Sequence, residues 1–151
     1  MQRNIEINGL QERVRIYPFA LSNENDGRAL YIPLSENGEE IDSGGARLDP
    51  NDPTPPPQWK TVSVELRRLD DLKFGRPDLV KMDVEGHEYY AMLGMTETLS
   101  ACPGLMIEWV KRNWQKSPQH YRRKETMSLL KSLGYNSFQR IGRADMWCEK
   151  E

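Results

Sequence analysis

The chain has 151 residues, which is enough for one domain and too few for two large ones. Its 21 basic and 23 acidic residues give a net charge of −2, which argues against a general binder of nucleic acids or membrane surfaces. No apolar stretch approaches the roughly 20 residues that span a bilayer, and the N-terminus lacks the apolar region of a signal peptide. We therefore expect a cytoplasmic protein, in which Cys102 and Cys148 are small buried apolar side chains.

The first elements are short. Residues 1–8 have the pattern of the end of a helix, and Asn8-Gly9 supplies its left-handed stop. A helix that starts at the first residue has no N-cap, which suggests that a further segment precedes it. Residues 13–21 alternate and then become apolar, which predicts a strand. A turn over residues 23–27 and a second strand over residues 29–34 follow.

The middle of the chain begins with a long loop over residues 35–59, which is rich in proline and glycine. Arg47 and Trp59 are substrate-contact candidates within it. A half-buried strand is predicted over residues 61–66 and a short helical turn over residues 69–72. Residues 77–84 form the strongest candidate for a buried strand.

The last part alternates helices and strands. We expect a helix over residues 88–100, a buried strand over 104–110, a helix over 117–133, and strands over 135–141 and 145–148. The basic run 122–124 is interpreted as a solvated helix face. This order predicts an α/β domain with a mostly parallel sheet and an antiparallel C-terminal edge.

The chemistry is expected where the buried strand of residues 77–84 ends, since ligands of open α/β sheets bind beyond the carboxyl ends of the strands. Asp83 and Glu85, two residues apart, point to the same side of an extended backbone. Gly86 permits a sharp turn, and His87 can exchange protons near neutral pH. The sequence therefore predicts a site that includes Asp83, Glu85 and His87.

Structural explanations compete with this one. Carboxylates at a strand-to-helix turn also cap the helix, and this is the favoured role of Glu88. For Asp83 a functional role is favoured, because an ionisable side chain that ends an apolar strand is costly without a partner. A third interpretation is a magnesium site formed by Asp83, Glu85 and Glu108.

Several motifs resemble the FkbM-type methyltransferases. They are Pro77-Asp78-Leu79-Val80-Lys81-Met82-Asp83-Val84-Glu85-Gly86-His87-Glu88, then Met92-Leu93-Gly94-Met95, then Gly104-Leu105-Met106-Ile107-Glu108. Upstream, Asn4 to Leu10, Phe19-Ala20-Leu21-Ser22 and Leu66 to Leu72 are also similar to family segments. The resemblance covers residues 3–110 in the right order, and the motifs together are fairly specific.

The resemblance implies a Rossmann-like fold and an S-adenosylmethionine-dependent O-methyltransferase. Its acceptor would be a hydroxyl group of a sugar or another small natural product. Asp83, Glu85 and His87 would lie beside the methyl donor and acceptor as catalytic residues. Ala20, Leu21 and Asp83 would contact the cofactor. No resident metal is implied.

The family begins with a strand, a glycine-rich turn, a helix and a second strand with an acidic end, and this sequence contains no match to them. The chain is therefore expected to be one partial methyltransferase domain, over residues 1–151, that lacks the first two strands. Their removal would leave a gap of roughly 10 Å, at about 4.8 Å per strand. Three explanations follow: another chain or a second copy supplies the missing part, the reading frame is truncated, or the sheet closes over the gap.

Two other functions remain open from the sequence. The first is a non-catalytic remnant or partner subunit of a methyltransferase, favoured by the missing glycine-rich turn. The second is a metal-dependent transferase or hydrolase that uses Asp83, Glu85 and Glu108. Nucleic-acid binding is the least favoured, because the four tryptophans show no pattern of stacking platforms.

Overall fold

The structure is a computed structural model, which describes residues 1–35, 37–38, 47–48, 59–109 and 122–151. Within these ranges the chain is a mixed α/β protein with two four-stranded sheets. The helices are α1 (Gln2–Ile7), α2 (Glu88–Leu93), α3 (Thr96–Ala101) and α4 (Arg123–Ser132), with a 3-10 turn at Leu69–Leu72. The strands are β1 (Ala20–Leu21), β2 (Gly27–Pro33), β3 (Arg47–Leu48), β4 (Trp59–Arg67), β5 (Leu79–Met82), β6 (Gly104–Glu108), β7 (Ser137–Ile141) and β8 (Asp145–Glu149).

The N-terminal helix ends as the sequence predicts. Gly9 has a φ of 64°, in the left-handed region that favours glycine. The amide of Leu10 then donates to the carbonyl of Ile5 at 3.0 Å, which satisfies a carbonyl at the end of the helix. Ile5 is the buried residue of α1.

The prediction of a strand over residues 13–21 is wrong for most of its length. Only Ala20 and Leu21 form a strand, and they pair in parallel with Leu66 and Arg67 of β4. Residues 13–18 are exposed, including the apolar side chains of Val14, Ile16 and Tyr17. The alternating pattern was present, but strand structure also requires a neighbouring strand to accept its backbone hydrogen bonds.

The first sheet has the order β1-β4-β2-β3. β2 and β4 pair antiparallel from Gly27↔Glu65 to Pro33↔Trp59, which confirms both strands. β2 starts two residues earlier than predicted and ends one residue earlier, and β4 is longer than predicted at both ends. Most of the expected loop over residues 35–59 lies outside the described residues, but Arg47 and Leu48 within it pair with β2 as β3. Gly44 and Gly45 also lie outside them.

The second sheet has the order β5-β6-β8-β7. β5 and β6 are parallel, while β6–β8 and β8–β7 are antiparallel, which confirms the antiparallel C-terminal edge and its hairpin at Gly142. Across the described strands two pairs are parallel and four are antiparallel, so the expected predominance of parallel pairing is not observed. The strand order of a Rossmann-like domain is therefore not established by these pairs.

The sheet does not close over the expected gap by placing β1 beside β5. β1 pairs with β4 of the first sheet instead. Within the described ranges no strand pairs with the second edge of β5. Leu79 at the start of β5 is 53% exposed, so this strand is less buried than its apolar sequence predicts.

The helix expected over residues 88–100 is two helices, α2 and α3, which are interrupted at Gly94 and Met95. A β-carbon on Gly94 would overlap the carbonyl oxygen of Ser22, so only glycine permits this close approach. Asp70 then starts α3: its carboxylate accepts hydrogen bonds from the amides of Glu97 and Thr98, both at 3.0 Å, and from the Thr98 hydroxyl at 2.8 Å. This is a helix cap supplied from a distant segment.

The core lies between the second sheet and helices α2, α3 and α4. Its members are buried apolar side chains from both layers: Met82, Ala91, Met92, Met95, Leu99, Leu105, Ile107, Leu130, Tyr135, Met146 and Cys148. Cys102 and Cys148 are both free and fully buried, as predicted. Each large core side chain of this kind stabilises the fold by about 1.5–3 kcal/mol.

Candidate functional site

The turn that follows β5 has an unusual backbone. β5 ends at Met82, and Glu85 and Gly86 both have positive φ, 52° and 93°. A non-glycine residue in the left-handed region costs about 1–2 kcal/mol, and such strain often accompanies functional turns. The prediction that Gly86 makes a sharp turn is confirmed. The premise that Asp83 and Glu85 share one side of an extended backbone is wrong, because the strand ends before Glu85.

Glu88 holds this turn in place. Its Oε1 accepts hydrogen bonds from the amides of Val84 and Gly86, each at 3.2 Å. Glu88 is also the acidic residue in the first turn of α2, where it complements the helix dipole. Glu88 therefore has a structural role, as expected, but it binds the amides of the turn and complements the helix dipole, and no side chain caps α2.

Asp83 lies at the surface end of β5 beside a cation. Its Oδ2 accepts a hydrogen bond from Lys81 Nζ at 2.8 Å, and the Asp83 side chain is 46% exposed. This hydrogen bond raises the pKa of the Lys81 ammonium above its usual value. Asp83 therefore has the partner that an ionised side chain at the end of an apolar strand requires, and it needs no ligand for its stability. Its accessibility leaves it able to contact a bound molecule.

His87 is 4% exposed, and its Nε2 lies 3.1 Å from the hydroxyl oxygen of Ser22, which is 1% exposed. The same hydroxyl oxygen also lies 3.2 Å from Oδ1 of Asn23, to which it can donate. The tautomer of His87 decides whether Nε2 donates to the Ser22 hydroxyl or accepts from it. The imidazole also stacks on the Tyr90 ring at 5.0 Å between centroids.

Ala20 and Leu21 are half-buried in β1, and Leu21 packs against the core. Ser22 follows them directly, and its amide donates to the carbonyl of Arg67 at 3.0 Å. Through its side chain Ser22 contacts His87. The structure therefore brings the predicted cofactor segment and the Asp83–His87 turn together, although they are more than 60 residues apart in sequence.

Glu108 ends β6, beside the end of β5, and faces Asp145 across the antiparallel pair with β8. Burial raises its pKa most, and the carboxylates of Glu88, Asp83, Glu85 and Asp145 add to the effect in that order, so that the pKa reaches about 7. From the sequence Glu108 is expected to face the same crevice as Asp83 and Glu85, because it ends the next parallel strand. The parallel pairing of β5 with β6 confirms that these two strand ends are adjacent.

Two arginines flank this end of the fold. The Arg122 guanidinium lies over the rings of Tyr89 and Tyr90, at 5.2 and 5.1 Å, and that of Arg123 lies over Trp109 at 5.6 Å. Both arginines are half-buried, so the prediction that the run is a plain solvated face is wrong for them. No periodicity in the sequence indicated these contacts, which join α4 to α2 and β6.

In the part of the chain that the structure describes, no three His, Cys, Asp or Glu side chains are arranged to hold a metal ion. Asp83, Glu85 and Glu108 all belong to that part, so the magnesium interpretation gains no support. Among the same residues no helix is long and apolar enough to cross a membrane.

The comparison with protein families decides the class of the protein. The family model described as the methyltransferase FkbM domain matches residues 2–137. The chain belongs to the FkbM methyltransferase family. This match extends beyond the residues 3–110 that carry the resemblance, into α4 and the start of β7. Neither the curated proteins nor the solved structures give a significant match.

Proposed function

We propose that this FkbM-family chain takes part in S-adenosylmethionine-dependent O-methylation of a sugar or natural-product hydroxyl, in a Rossmann-like fold. The observation that supports this most is the buried contact between Ser22 and His87. It joins β1, where the resemblance puts the adenine contacts of Ala20 and Leu21, to the turn that carries Asp83 and Glu85. A single small molecule at this end of the two sheets can contact both segments.

The described residues fit the adenine side of S-adenosylmethionine better than its methionine end. Ala20 and Leu21 offer a half-buried apolar edge suited to a flat base, and Asp83 is an accessible acceptor for polar groups. Within the described residues there is no strand followed by a glycine-rich turn and a helix to hold the methionine end. We propose that a further strand, from another segment or another chain, pairs with the second edge of β5 and supplies it.

The edge proposal has its own test. In the isolated chain the amides of β5 that do not bond to β6 are predicted to exchange with solvent rapidly, since no described strand covers them. Slow exchange of every β5 amide in the isolated chain would contradict the proposal. The amides of β6, which has strands on both sides, serve as the internal control.

S-adenosylmethionine supplies an electrophilic methyl group when bound. The chain's own residues must orient the acceptor hydroxyl and receive its proton as the oxygen–carbon bond forms. Glu108, with a pKa of about 7, suits proton acceptance near neutral pH. Asp83 and Glu85 are the accessible carboxylates of the turn, while His87 is buried and contacts Ser22 through Nε2.

The experiment is a calorimetric titration of the folded chain with S-adenosylhomocysteine. We expect binding that is weakened at least about tenfold by Asp83→Ala, equivalent to about 1.4 kcal/mol. Asp78→Ala is the matched control, because Asp78 is an exposed aspartate on the approach to the same strand. Binding would be followed by an acceptor screen. A folded chain that binds no S-adenosylhomocysteine would favour the non-catalytic remnant instead.

A further inference from the structure

A pocket of about 310 Å³ lies beside the ends of β1 and β4 and has no role in the function proposed so far. One wall is the turn of residues 25–27, and the other is the second half of β4, residues 63–67. The volume is at the lower end of the range for small-molecule pockets, and suits one small ring rather than a whole nucleoside cofactor.

The turn that forms the first wall is held rigidly by hydrogen bonds. The Asn25 side chain donates to Asp71 Oδ2 at 2.7 Å and accepts from the amide of Arg68 at 2.9 Å. The Asp26 carbonyl accepts from the amide of Leu66 at 2.6 Å, and its side chain accepts from the amide of Gly27 at 2.7 Å. The wall is therefore preorganised, which lowers the entropy cost of binding.

The second wall provides the polar chemistry. Ser63, Glu65 and Arg67 share the solvent face of β4, since they alternate with the more buried Val64 and Leu66. Glu65 and Arg67 form an ion pair and are about half exposed. Opposite them Gly27 leaves open space, because a β-carbon there would meet no atom within 4 Å.

The charges of the pocket select the class of ligand. Its lining offers a hydroxyl, a guanidinium and the carboxylates of Asp26 and Glu65, so an anionic group would face two negative charges and one positive charge. A neutral ring with several hydroxyl groups can donate to the carboxylates and accept from the guanidinium. A sugar fits this pattern, and a phosphate ester does not.

The pocket is connected to the candidate active site through one residue. The carbonyl of Arg67, in the pocket wall, accepts from the amide of Ser22, whose side chain contacts His87. We propose that this pocket binds one sugar ring of the acceptor, and that Ser22 links the pocket wall to the turn that carries the candidate catalytic residues. This inference rests on the proposed function, because the bound sugar is the methyl acceptor only if the chain takes part in methylation.

The test maps binding on the whole chain by the shifts of its backbone amide NMR signals. The probes are methyl glucoside, glucose 6-phosphate and, separately, S-adenosylhomocysteine. We expect methyl glucoside to shift the signals of residues 25–27 and 63–67 with weak affinity, and glucose 6-phosphate to bind less tightly. Gly27→Val, which fills the open space without backbone strain, should weaken methyl glucoside binding about tenfold or more.

Two further variants make the outcome decisive. Glu65→Gln removes a carboxylate acceptor in the pocket, and Glu12→Gln makes the same change in an exposed turn outside it. Loss of glucoside binding in Gly27→Val and Glu65→Gln but not in Glu12→Gln supports the pocket. Glucoside shifts elsewhere, no shifts, or tighter binding of the phosphate ester overturns it. If the glucoside binds here but S-adenosylhomocysteine does not bind, the proposed function fails and the sugar pocket stands.

Discussion

Replacing Glu108 with glutamine is predicted to stabilise the fold at alkaline pH and to leave it unchanged in acid. Burial and four neighbouring carboxylates raise the pKa of Glu108 from its ordinary 4.5 to about 7 in the folded chain. Between these values the folded state holds a proton that the unfolded state releases. Stability therefore falls as the pH rises through this window, and the full loss is present above about pH 7.

The size of the effect follows from the two pKa values. A change from 4.5 to about 7 corresponds to at most about 3.4 kcal/mol. Glu108 is only partly buried, so screening by solvent reduces this to about 1–2 kcal/mol. Glutamine resembles the protonated carboxyl in shape and carries no charge. We therefore expect Glu108→Gln to gain about 1–2 kcal/mol at about pH 8 and nothing at about pH 4.

The assay is urea unfolding of the wild type and the variant at both pH values. Glu12→Gln, a change at an exposed turn residue, is the control for a general effect of net charge. The reasoning is refuted if Glu108→Gln changes the free energy of unfolding equally at both pH values, or if it destabilises the chain at about pH 8. Either result would mean that burial and the neighbouring carboxylates do not raise the pKa of Glu108 in the folded state.

Two further predictions concern the packing that positions the site. Asp70→Ala removes a buried helix cap that accepts three hydrogen bonds, and it should lower the free energy of unfolding by about 2 kcal/mol. The control Asp78→Ala should lower it by less than about 0.5 kcal/mol. Equal losses of the two variants in urea unfolding would contradict the capping role. Gly94→Ala forces a β-carbon into the backbone at Ser22 and should lower the free energy of unfolding by about 3 kcal/mol or more. The control Gly27→Ala should leave it nearly unchanged, because a β-carbon there meets no atom within 4 Å. A Gly94→Ala chain with wild-type thermal stability would show that the close approach to Ser22 is absent.

The sequence predicted the elements that local pattern determines. Strands β2, β4, β6, β7 and β8, the 3-10 turn and the buried cysteines follow from alternation and apolar runs. It failed where a distant segment decides the structure. The break between α2 and α3 depends on Ser22 and Asp70, which lie far away in the sequence. Residues 13–18 alternate like a strand, but none of the strands in the described ranges pairs with them.

The sequence predicted which residues belong to the candidate site, but it did not predict their backbone conformation or their contacts. The positive φ of Gly86 is expected from a glycine after a strand, while the positive φ of Glu85 is held by hydrogen bonds from the turn to Glu88. The contact between Ser22 and His87 cannot be inferred from spacing, because it depends on how the two sheets meet. The sequence places Glu108 at the end of the strand after Asp83, but its raised pKa follows only from how its surroundings pack.

The most direct test of the central claim is to map where S-adenosylhomocysteine binds on the folded chain, by the shifts of its backbone amide signals. We predict that the amide signals of two separate segments shift on binding, those of residues 20–22 and those of residues 83–87. The hydrogen bond between Ser22 and His87 holds these segments together. A folded chain that shows no shift, or shifts confined to residues outside both segments, would contradict the proposal that this end of the fold is a methyltransferase site.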